Sequence, residues 1–177
     1  MTANHLKDIA GIHKKVMVLL NLDNTDVPMK LVYLLSEELK ANPEQIALTQ
    51  ALTLDDSRPM MGLKGSNGLF GSQEWWESIE QGKMPLLYIS GIITRTYVAG
   101  QDSSEFNNTI DLLLDDGSIE AVGIYTNQEQ DTNLFKVGHL ASIVYALDEM
   151  KAQPSINGEI NYSKTALEMA VSLESVN

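Results

Sequence analysis

The hydrophobic positions of this chain follow two different periods. Leu6, Ile9, Ala10, His13, Val16, Met17 and Leu20 fall at three- and four-residue spacing, which predicts a first helix with one apolar face. Asp26, two residues before Pro28, reads as the cap of a second helix whose shared face holds Leu31, Leu34, Leu35, Glu38 and Leu39. Asn42-Pro43-Glu44-Gln45 restarts the chain as a third helix: a capping side chain, a proline in the first turn and an acid at the positive end of the helix dipole. Ile46, Ala47, Gln50, Ala51 and Leu54 carry it on.

Between residues 55 and 71 the periodicity disappears. Pro59 and glycines at 62, 65, 68 and 71 mark an extended connection. Ser72 then caps a short helix over residues 73–81, closed by Gly82 and followed by Pro85.

Beyond Pro85 the period becomes two. Residues 86–98 are rich in β-branched and aromatic side chains, and Ile110, Leu112 and Leu114 alternate with other neighbours. Asp116-Gly117 predicts a hairpin turn, with the return strand through Ile119, Ala121, Gly123 and Tyr125. A further apolar run covers residues 134–147. In the last segment Leu167, Met169, Val171 and Leu173 alternate strictly, so period two assigns a strand where propensity alone favours a helix. The expected fold class is α+β: a helical region over 1–56, a glycine-containing connection with the short Trp helix over 57–84, and an antiparallel β domain over 85–177. About five strands predict a small barrel or a curled sheet.

Charge sharpens this picture. Of the net −12, residues 1–60 carry −2 and residues 61–177 carry −10. An acidic second half repels phosphate backbones and anionic lipid and attracts basic protein surfaces, so the expected partner is a basic protein, with neither nucleic acid nor membrane. Arg95 and Lys136 are almost the only cations on the expected strands, too few to line a nucleic-acid groove. The absence of cysteine removes disulfides, thiolate metal sites and a cysteine nucleophile and fits a reducing compartment. The polar N-terminus and the lack of any long apolar run point to a cytoplasmic protein.

Specific chemistry is sparse. Three histidines, His5, His13 and His139, lie at no metal-ligand spacing. No phosphate-loop or nucleophile-elbow motif is present. Asp55-Asp56-Ser57 and Asp115-Asp116-Gly117 read as turns rather than calcium loops. The expectation is a non-catalytic protein without cofactor or metal.

One segment stands out. Gly68-Leu69-Phe70-Gly71-Ser72-Gln73-Glu74-Trp75-Trp76-Glu77-Ser78-Ile79 holds both tryptophans. With the strand segment Gly91-Ile92-Ile93-Thr94-Arg95-Thr96-Tyr97 and the later Val137-Gly138-His139, it resembles small acidic bacterial proteins of the antitoxin and immunity type. The resemblance covers roughly residues 68–147 and carries no assigned activity, only an association with small acidic proteins encoded as antitoxins or immunity factors. Adjacent indoles on a helix serve either as core plugs or as interface anchors.

The expected protein-binding face therefore comprises Trp75, Trp76, Glu74, Glu77 and Glu80, joined by the loop acids Asp102, Glu105, Glu129 and Asp131. The alternative is a ligand- or nucleotide-recognising barrel with Tyr88, Tyr97 and Lys64 in its pocket. Homo-oligomerisation is left open by the sequence.

Overall fold

A computed structural model describes residues 18–101, 105–154 and 157–176, with the side chains of 152–154 outside the description. Six strands form one sheet: β1 (Met29–Leu34), β2 (Leu86–Tyr97), β3 (Thr109–Leu113), β4 (Ile119–Gly123), β5 (His139–Pro154) and β6 (Ile160–Ser175). Their order is β1-β6-β5-β2-β3-β4, and every neighbouring pair is antiparallel. Strands β1 and β4 are the two edges, so of the expected barrel or curled sheet of about five strands the open sheet is found, with six strands.

The expectation of helices alone before residue 56 is corrected by β1. Met29–Leu34 pairs with β6, placing Tyr33 opposite Met169 and Lys30 opposite Val171. The strand runs directly into helix α1 (Leu35–Ala41), so leucines from two different elements mimic one helical stripe. Pro28 precedes a strand, and its carbonyl accepts from the Leu173 amide. The expected first helix lies mainly outside the described residues, and residues 18–20 are not helical.

Helix α2 (Glu44–Leu54) starts where Asn42-Pro43-Glu44 places it, although the Asn42 side chain donates to Glu38 instead of capping. Helix α3 (Gln73–Glu80) is capped by Ser72, whose hydroxyl accepts from the Trp75 amide at 3.2 Å. A short 3-10 helix, Glu129–Leu134, precedes β5. The final strand is present and spans β6.

Alternation gives the sheet two buried faces. Ile93, Leu112, Ile143 and Met169 are fully buried and fall on one face through the pairings Ile93–Leu112 and Ile143–Met169. The other face carries Val144, Ala146 and Asp148, and α3 with the segment before it packs there through Trp75, Phe70 and Ile79.

Candidate functional site

The face covered by α3 contains two buried carboxylates, each held by a different segment. Asp148 Oδ2 accepts from the Trp75 indole Nε1 at 2.8 Å, while its Oδ1 is buried without a hydrogen-bond partner. Burial pushes the Asp148 carboxyl above its ordinary value, against the indole hydrogen bond that favours the charged form. Glu168, opposite Val144 on β6, accepts from the Leu19 and Leu20 amides at 2.8–2.9 Å. Burial raises this carboxyl as well, opposed by the two backbone donors. No lysine or arginine pairs with either carboxylate among the described residues. These groups fasten elements to the sheet: one fixes α3, the other the segment at residues 19–20.

Seating Trp75 inward determines what α3 presents outward. Trp75, Ser78 and Ile79 are buried, whereas Gln73, Glu74 and Glu80 are exposed and Trp76 and Glu77 are half-buried. Glu74, Glu77 and Glu80 recur every three residues and share a face. Glu77 accepts from Gln73, and no Lys or Arg among the described residues forms an ion pair with any of the three.

The loop before α3 links it to helix α2. The Gln50 side chain donates to the Phe70 carbonyl at 2.9 Å, and Phe70 packs edge-on against Trp75 with centroids 5.1 Å apart. Between α2 and the outer part of the β5–β6 hairpin lies a groove of about 390 Å³, bordered by Leu48, Leu52, Leu63, Phe70, Met150 and Thr165 among others.

The expected site residues do not form one face. Trp75 is fully buried with its indole bonded to Asp148, so of the two readings of the adjacent indoles it takes the core plug and leaves the expected binding face. Trp76 stacks edge-on against Trp75 at 4.8 Å and keeps a partly open surface. Glu105 and Glu129 are exposed, and Asp102 lies outside the described residues. Asp131 is buried and ion-paired with Lys30 at 2.6 Å, on the sheet face opposite α3. That pair turns Asp131 into an internal tether of the 3-10 helix.

The alternative ligand set is dispersed too. Tyr88 and Tyr97 both lie on β2, nine residues and roughly 30 Å of strand apart. Tyr88 is exposed, whereas the Tyr97 hydroxyl donates to Asp111 and its ring lies under Arg95. Lys64 pairs with Glu149 at 2.9 Å, and that ammonium holds the Glu149 carboxyl below its ordinary range. With the sheet open, no barrel interior gathers the three residues.

The family relationship can now be set beside this geometry. The model of the immunity protein RhsI2 family matches residues 29–172, from the start of β1 almost to the end of β6. That is 144 of the 177 residues. The chain belongs to the RhsI2 immunity-protein family. The match takes in β1 to β5, β6 as far as residue 172, and the three α-helices of the described residues. A search of curated proteins finds no match. Among the described residues no cluster of three metal-ligating side chains occurs, and no helix is long and apolar enough to cross a membrane.

Sequence reasoning missed Asp148, Glu168 and the groove beside α2. Asp148 stands next to Glu149 in sequence, as a solvated acidic pair does. Its signal is its register: it shares a face with Ala146 and Val144 at the end of the apolar stretch of β5. Glu168 carried the same signal inside the alternating run of β6.

Proposed function

We propose that this chain is a non-catalytic immunity protein that neutralises a toxin by binding it, and that the toxin presents a basic surface. The single observation that carries the immunity reading is the family match across residues 29–172. The basic character of the partner is supported by the net charge of −12 and by Glu74, Glu77 and Glu80 on α3, which form no ion pair among the described residues.

The mechanism is steering followed by occlusion. The acidic ridge draws the basic toxin surface into encounter, and the partly open ring of Trp76 contributes apolar contact beside it. Glu105 and Glu129, exposed on distant connections, add to the long-range field without belonging to the contact face. The proposal keeps the cytoplasmic location expected from the sequence.

The test is growth of cells producing each candidate toxin domain from the genome that encodes this chain, with and without the chain. Protection by the parent protein, and weaker protection by Glu77→Lys/Glu80→Lys at equal abundance, is the expected result. Failure of the parent protein to protect would remove the reading.

A further inference from the structure

Helix α2 differs from α1 and α3 in composition and burial. From Gln45 to Leu54 it carries no charge, its apolar residues are distributed around the axis, and none of its residues is buried. A helix that is apolar all round is ordinarily enclosed by protein. Here one stripe, Ala47, Leu48, Ala51 and Leu54, is exposed, with Leu48 at 71% and Leu54 at 65% of full exposure. Met60 and Met61, just beyond the helix, are also exposed. Leu48 borders the 390 Å³ groove, so the stripe and the groove are continuous.

We infer that the α2 stripe and its groove form the apolar centre of the toxin-binding surface, and that the toxin fills them with an apolar side chain framed by lysine or arginine. This inference rests on the immunity reading above and names the part of the chain that supplies affinity. Charge supports the occupant's chemistry. The nearby cations are already engaged: Arg58 with Asp55, Lys64 with Glu149, and Lys151 with the carbonyls of Leu52, Asp55 and Arg58. Glu44 and Asp56, at either end of α2, and Glu74 and Glu80 on α3 have no ion-pair partner among the described residues. An uncharged strip bounded by unpaired carboxylates matches an apolar plug inside a basic rim.

Continuity with α3 supports it further. The Gln50–Phe70 and Phe70–Trp75 contacts lead from α2 to the helix that carries the acidic ridge. A Cβ added at Gly71 would lie 3.1 Å from Ile46, so the loop before α3 touches α2 directly. Unbranched Met60 and Met61 can adapt to the shape of a partner at the edge of the stripe.

The experiment measures binding of the purified chain to the toxin domain it protects against in the growth test above, carrying an inactivating substitution, by biolayer interferometry at low and high salt. Leu48→Gln/Leu54→Gln keeps charge and helix propensity and changes two exposed side chains, so an unchanged circular dichroism spectrum is expected. The double variant should weaken binding by about tenfold or more, mainly through faster dissociation and at both salt concentrations. Glu77→Lys/Glu80→Lys should instead slow association, with the effect shrinking at high salt. Binding of Leu48→Gln/Leu54→Gln within twofold of the parent overturns the inference and leaves the immunity reading standing. A parent dimer in sedimentation velocity that this variant dissociates also overturns it, assigning the stripe to a second copy. If the parent itself does not bind the toxin, the immunity reading fails first.

Discussion

The Trp75 indole and the Asp148 carboxylate, 73 residues apart in sequence, meet at 2.8 Å with both residues fully buried. This bond decides which way α3 faces. Turning Trp75 inward leaves Glu74 and Glu80 at the surface, so the internal polar contact and the outer acidic ridge have one cause.

Trp75→Phe removes the indole donor and leaves a buried carboxylate oxygen without it, while opening space beside Phe70 and Ile79. The expected loss is about 2–4 kcal/mol, read by urea unfolding. Asp148→Asn retains an acceptor for the indole and should cost less. A double-mutant cycle should show the two positions strongly coupled, and additive effects would contradict the bond's role.

The two raised carboxyls set the sign of a pH effect. Asp148 and Glu168 lie above ordinary values of 3.8 and 4.5, so between those values and the raised ones the folded protein holds more protons than the unfolded chain. Their contribution is therefore present at low pH and lost as pH rises through that window. Relative to the parent, Asp148→Asn should become progressively more stable as pH rises. Equilibrium unfolding of both proteins across the acidic to neutral range checks this, and a gap independent of pH would contradict it.

Glu168→Ala removes the acceptor of the Leu19 and Leu20 amides. Native-state hydrogen exchange at those two amides should accelerate by about tenfold to a hundredfold, matching about 1–3 kcal/mol for the lost partner. Amides in β2 and β3 should change far less.

Gly68 has φ of +94°, and an added Cβ would stand 2.9 Å from the Trp75 backbone nitrogen. Gly68→Ala should cost about 2–3 kcal/mol through dihedral strain and displacement of the α3 N-terminus. Gly82 has φ of +70° with open space around it, so Gly82→Ala should cost only about 1 kcal/mol. Thermal unfolding of the pair separates strain from crowding.

The parts of the fold legible in the sequence were those whose signals are local. Ser72 before Gln73, Asn42-Pro43-Glu44 and the alternation through Leu167 to Leu173 each correspond to an observed boundary or strand. Strand β1 was hidden because Leu31, Leu34, Leu35 and Leu39 keep helical spacing across a strand–helix junction, and only pairing with β6 makes residues 29–34 extended. The openness of the sheet depends on which strands remain edges, a long-range property that no local pattern carries. At the candidate site, the bounds of the Trp helix that carries Glu74, Glu77 and Glu80 are legible from its cap and its glycine stop. The inward turn of Trp75 is not, because its cause, Asp148, looks like a surface residue until register places it beneath α3.

The most direct test is titration calorimetry of the chain against an inactivated form of the toxin domain it protects against. A saturable complex at a fixed molar ratio, weakened by added salt, is the predicted result. No heat of binding from a folded chain and a folded toxin domain, at low and at high salt, would contradict it.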